Sequence, residues 1–173
     1  AGRKTTIDLI AGHYADSGAL TPPPDSWAAN ADHHVNIWTV KIEAEGEWQL
    51  PAHRAGLNRM IYFYRGDQLE IGGKTLTAGH GVVAMSDKTL LFRNGKQESL
   101  LLILEGKPIA EPVAQHGPFV MNSREELQAT FLDYQRTQFG GWPWPDQDQV
   151  HGAEPVRFAR HADGREEFPD GVS

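Results

Sequence analysis

The sequence predicts an all-β protein, a barrel or sandwich with one C-terminal α-helix and an irregular tail, and three observations carry that prediction. Between Val35 and Glu105, short β-branched, aromatic or alternating runs are separated by Gly, Asn and Asp turn signals at close intervals. That rhythm fits hairpins and meanders better than βαβ units. Apolar residues recur at helical spacing over Leu127, Phe131 and Tyr134, behind a Ser123-x-x-Glu126 capping box. The third observation is the tail, where Trp142 to Pro145 (WPWP) is too proline-rich for a helix or a central strand.

Taken in order, Ile7–Ala11 is an apolar run ended by Gly12 and reads as a strand. Thr21 to Trp27 (TPPPDSW) enforces an extended stretch, so Tyr14 to His34 reads as a connector over the surface. From Val35 the chain alternates, with Asn36, Trp38, Val40 and Ile42 on one side. Gly46 turns it toward Trp48 and Leu50. Met60 to Tyr64 (MIYFY) is the strongest strand signal, and Arg65-Gly66-Asp67 turns it into Gln68–Ile71. Gly72-Gly73 is a two-residue hairpin signal. Val82–Met85 and Thr89–Arg93 repeat the pattern, Asn94-Gly95 turns, and Ser99 to Glu105 (SLLLILE) is expected to be the most buried strand. Gly140 is placed as the left-handed cap ending the helix. The organisation expected is an N-terminal strand and connector over 1–34, a barrel over 35–110, a linker and amphipathic helix over 111–140, and an extended Trp/Pro tail over 141–173.

Bulk properties exclude several function classes. The 173 residues are 39% hydrophobic and 23% charged, an ordinary balance for a folded domain. A net charge of −7 without clustered Lys or Arg argues against nucleic acid as a partner. No run approaches a membrane span, and no cleavable signal is visible. The absence of Cys excludes disulfides and thiolate metal sites and fits a cytoplasmic location. The chain opens at Ala1, without an initiator Met, on a segment that already reads as a strand, as the middle of a longer protein would.

Glu111 to Gly140, EPVAQHGPFVMNSREELQATFLDYQRTQFG, resembles the signature of the pirin family, and the preceding LPAHRAGLNRMIYFYRGDQLEIGGKTLTAGHGVVAMSD resembles that family's second cupin barrel. The resemblance covers about Ile7 to Gly140. It implies a jelly-roll cupin fold and a bicupin context. In that family a mononuclear iron is held by histidines and a glutamate in the N-terminal barrel, and several members oxidise quercetin with dioxygen. Other members are described as protein-binding regulators. It further implies that iron, or a similar divalent metal, belongs to an N-terminal cupin outside these residues. The partner expected is that cupin or a second copy of this chain, with a protein partner as the alternative.

Against the cupin motif of Gly, His-x-His and Glu, this sequence offers Gly46 and His53, but Ala55 stands at the second histidine and the carboxylate position falls near Arg59 or Met60. His80, in TAGHG, stands near the single histidine of the second motif. His53 and His80 are therefore the candidate metal ligands, and no catalytic or cofactor-binding residue is expected in this chain. An independent metal-dependent cupin would need a further carboxylate beside them, such as Glu70 or Glu98. Arg54 or Arg59 would oppose a bound cation if either pointed inward. The bland readings are a loop position for His53, a barrel-rim hydrogen bond for His80, and a solvated Asp32-His33-His34 run. His116 reads as a packing residue, Ser123 as a cap, and Tyr62, Phe63 and Tyr64 as core and cross-strand pairs.

Overall fold

The structure is a computed structural model and describes residues 2–144, 147, 153 and 156–169. The chain divides into two compact units, Ala1–Ala110 and Glu111–Ser173.

The first unit contains strands β1 (Thr5–Ala11), β2 (His13–Tyr14), β3 (Ser17–Gly18), β4 (Asn36–Ile42), β5 (Glu47–Leu50), β6 (Asn58–Arg65), β7 (Gln68–Ile71), β8 (Lys74–Thr77), β9 (His80–Val83), β10 (Leu90–Asn94) and β11 (Ser99–Gly106). Two sheets form, a five-stranded one in the order β1-β4-β11-β6-β9 and a four-stranded one in the order β5-β10-β7-β8, with antiparallel neighbours throughout. Their side chains meet in one core of Trp38, Val40, Ile42, Leu50, Ile61, Phe63, Leu69, Ile71, Phe92, Leu101 and Ile103. This is the double-sheet, jelly-roll arrangement of a cupin.

Period-two alternation decides which residues reach that core. On β4, Asn36, Trp38, Val40 and Ile42 are buried while Ile37, Thr39 and Lys41 face outward. Phe63 joins the core, whereas Tyr62 and Tyr64 stand on the outer face. The Ser99–Glu105 run, expected to be the most buried strand, has no exposed residue and alternates: Ser99, Leu101, Ile103 and Glu105 point in, and Leu100, Leu102 and Leu104 are half-buried on the outside. Gly72-Gly73 closes a two-residue loop, pairing Ile71 with Lys74, and both glycines take the positive φ that a type I′ turn needs. At the β6–β7 turn the Asp67 carboxyl is held below its ordinary range by the backbone N–H of Gln68, with Gln97 and Lys96 donating from the β10–β11 loop.

Residues 14–34 are not a featureless connector. They hold the β2–β3 hairpin and two 3-10 turns, Trp27–Ala29 and Ala31–His33. His33 stacks on Trp27 at 3.4 Å between ring centroids and contacts its carbonyl through Nδ1 at 2.6 Å, so the Asp32-His33-His34 run is partly packed instead of freely solvated.

The second unit contains β12 (Ala114–His116), β13 (Phe119–Met121), α1 (Arg124–Thr137), β14 (Ala159–Arg160) and β15 (Glu166–Glu167). The capping box is complete: Glu126 N–H donates to Ser123 Oγ, and Glu126 Oε2 accepts from the backbone N–H groups of Ser123 and Asn122. The apolar stripe of α1 closes on its own hairpin, with Phe119 meeting Phe131 and Tyr134 edge to face at 4.9 and 5.5 Å. The helix ends earlier than the glycine predicted. Gln138, at φ 52°, is the left-handed cap and donates its N–H to Tyr134, and Gly140 follows a further 3-10 turn. In the tail, Trp142 and Trp144 pair their rings at 4.9 Å, while Pro145 lies outside the described residues. Val156 to Arg160 contributes β14, which pairs with β15 across the Ala162-Asp163-Gly164 turn.

Candidate functional site: a buried ion pair at the barrel mouth

The register of three neighbouring strands assembles the most unusual chemistry in the first unit. Glu105 on β11 lies opposite Asn36 on β4 and opposite Arg59 on β6. All three occupy inward positions at one end of the five-stranded sheet. Arg59 and Glu105 are each about 1% exposed in their side chains, with Arg59 Nε 2.5 Å from Glu105 Oε2. Asn36 Nδ2 donates to the other carboxylate oxygen at 3.1 Å. His53, in the loop after β5, reaches the same oxygen through Nδ1 at 2.6 Å.

The remaining guanidinium nitrogens donate to backbone carbonyls, Nη1 to Lys88 and Nη2 to Pro51, both at 3.3 Å. A buried charge is tolerated when it is paired and hydrogen-bonded in this way. Asn36 is itself fixed by the chain: its Oδ1 accepts from the backbone N–H of His13 at 3.0 Å. Gly12 makes room for that contact, because a Cβ there would lie 1.9 Å from Asn36 Oδ1.

The sequence candidates are scattered relative to this cluster. His53 is at the mouth with its side chain 39% exposed. His80 lies opposite Phe63, four residues along β6 from Arg59, which is about 13 Å of strand. Its Nδ1 contacts the Thr77 carbonyl at 2.8 Å. The structure therefore does not bring His53 and His80 together. Neither carboxylate proposed to complete them is near His53. Glu70 pairs with Arg93 in the other sheet, and Glu98 sits at the far end of β11, 3.9 Å from Lys41. Arg54 stays outside, 3.2 Å from His34 Nε2, whereas Arg59 does point inward. Among the described residues, no group of three or more His, Cys, Asp or Glu side chains gathers as metal ligands.

Sequence reasoning missed Glu105 and Asn36. One signal was available: a single carboxylate ends an otherwise apolar strand, and its period-two position shares a face with Leu101 and Ile103.

The two sheets and their shared core define the chain as a cupin. Within that class, residues 37–140 match the family model described as the pirin C-terminal cupin domain, and the chain belongs to that family. A Vibrio cholerae protein named "Putative quercetin 2,3-dioxygenase" is 34% identical over 130 residues, covering 75% of this chain and 40% of the relative. A "Pirin-like protein" of Caulobacter vibrioides is 38% identical over 82 residues, 47% of this chain and 29% of the relative. The crystal structure of a quercetin 2,3-dioxygenase from Acinetobacter baumannii superposes with a TM-score of 0.66 at 23% identity, covering 81% of this chain and 45% of that one. This last likeness concerns the fold. The chain spans less than half the length of each of these relatives. No described helix is long and apolar enough to cross a membrane.

Proposed function

We propose that this chain is a metal-free cupin domain whose role is structural, the partner of an N-terminal iron-binding cupin in which any quercetinase-type chemistry resides. The observation that carries the reading is the Arg59–Glu105 pair. The Glu105 carboxylate, set beside His53 at the barrel mouth, is committed on both oxygens, and the cation it faces is a guanidinium of the same chain. His53 and the already ion-paired Glu105 carboxylate, with the His34 ring 5.2 Å from that of His53, make no group of three or more ligand side chains among the described residues, whereas a mononuclear iron site calls for several imidazole and carboxylate donors with positions left open. A metal there would also meet the buried positive charge of Arg59.

The partner role draws on the outer face of the five-stranded sheet. Leu100, Leu102 and Leu104 of β11 lie beside Met60, Tyr62 and Tyr64 of β6, and Val83 extends the patch on β9. Tyr64 is 52% exposed and Val83 79%. A contiguous apolar face of this kind marks an interaction surface. The match to a pirin C-terminal cupin domain supports one occupant for this face, the companion cupin of the same protein.

Metal analysis tests the first half of the reading. After equilibration with ferrous iron or zinc and removal of excess, far less than one metal per chain is expected. One tightly bound metal per chain would refute the proposal.

A further inference from the structure

Asn94-Gly95 reads as a turn in the sequence, but neither residue takes a positive φ, and Asn94 is the last residue of β10. The pair serves through its contacts instead. Asn94 Nδ2 donates to the carbonyls of Ile42, Glu43 and Gln97 at 2.9, 2.9 and 2.8 Å. Its Oδ1 accepts from Ser99 Oγ at 2.6 Å and from the Gly95 N–H at 2.9 Å. That N–H also donates to the Gln68 carbonyl at 2.9 Å, and a Cβ on Gly95 would lie 2.6 Å from Asp67 Oδ1. These bonds tie together the β4–β5, β6–β7 and β10–β11 connections. They do so at the Ser99 end of β11, the opposite end from Glu105.

This is the only Asn-Gly pair in the sequence, and Asn is among the thermolabile residues. Its weakness is chemical. The glycine nitrogen attacks the asparagine Cγ, a C–N bond forms, the Cγ–Nδ2 bond breaks, and the N–H proton leaves with Nδ2 as ammonia. Water then opens the resulting succinimide at either carbonyl, giving aspartate or isoaspartate. A glycine at the second position offers no side chain to hinder the approach. In the folded chain every reacting group is engaged: the nucleophile's hydrogen by Gln68 and Oδ1, the leaving nitrogen by three carbonyls, and Oδ1 by Ser99. We propose that Asn94 is a latent deamidation site, held inert by the closed barrel and released when this end opens, so that a chain left open is converted there to a form that cannot close again. Aspartate at this position would set an anion against the carbonyls of Ile42, Glu43 and Gln97 in place of a donor. Isoaspartate would insert a methylene into the backbone where Asn94 pairs with Leu69 of β7. The site is remote from the ion pair and stands whether or not the chain serves as a structural partner.

Conversion through an opened state runs at the denatured-chain rate multiplied by the open fraction. The test incubates the 173-residue chain at mildly alkaline pH, in native buffer and in guanidinium chloride, and follows Asn94 by peptide mapping and mass spectrometry. Denatured chains are expected to convert at Asn94, and native chains at least about tenfold more slowly, since opening forfeits several hydrogen bonds. Equal rates, or no conversion at Asn94 in denaturant, would overturn the proposal. Aged samples are then diluted out of denaturant beside samples denatured only briefly. The unconverted chains are expected to regain the original unfolding midpoint and the converted chains to fall short of it. Converted chains that regain the same midpoint would equally overturn the proposal. Asn94→Asp supplies one product directly and is expected to have a lowered midpoint; the aged wild-type chains decide the matter even if that variant fails to fold.

Discussion

Removing the Glu105 carboxylate would strand the Arg59 guanidinium in the barrel without a counter-charge. Glu105→Ala is therefore expected to destabilise the chain by about 3–5 kcal/mol in urea denaturation. The pair itself is worth far less than that loss suggests, because both ions were taken out of water to form it. Arg59→Met combined with Glu105→Leu, which fills the volume with apolar atoms, should recover most of the stability and could exceed the starting protein. A double variant as unstable as the single one would show that Asn36, His53 and the backbone carbonyls depend on the charges themselves. Legibility at this scale was poor for a geometric reason. Arg59 and Glu105 are 46 residues apart, and they meet because β6 and β11 adopt one register. Inspection of a single chain gives the alternation of each strand but not which residue of one faces which residue of the other. Arg59 was legible as an obstacle to a metal if it pointed inward, yet the carboxylate it faces was not.

Elements were read more fully than contacts. The MIYFY strand, the Gly72-Gly73 hairpin and the capped helix follow from local rules, since turn chemistry and caps act within a few residues. The helix end shows where such rules stop. Gly140 was the natural left-handed residue, but the chain turns at Gln138, whose side chain also donates to the Tyr134 carbonyl at 3.1 Å. Ring contacts among Phe119, Tyr134 and Phe139 accompany that earlier turn. At the other end of α1 the prediction is simple. Ser123→Ala removes one half of the capping box and should cost about 1 kcal/mol, seen as faster amide exchange through the first turns of the helix. Unchanged exchange there would mean that Glu126, bonded to both the Asn122 and Ser123 N–H groups, holds the helix start by itself.

For the molecule as a whole, the outer face of the five-stranded sheet decides how the chain behaves alone. With Tyr64 and Val83 exposed beside three half-buried leucines, the isolated chain is expected to self-associate at micromolar concentration in light scattering. Tyr64→Glu together with Val83→Glu should return it to a monomer with the fold intact. A wild-type chain that is already strictly monomeric would count against the docking role. One last consequence concerns maturation. A metal must be delivered, kept in one oxidation state and protected from chelators, whereas a guanidinium is synthesised with the polypeptide. Under the partner reading, this barrel finishes its mouth as soon as β6 and β11 align. It can then offer a completed surface to its companion before any iron has arrived.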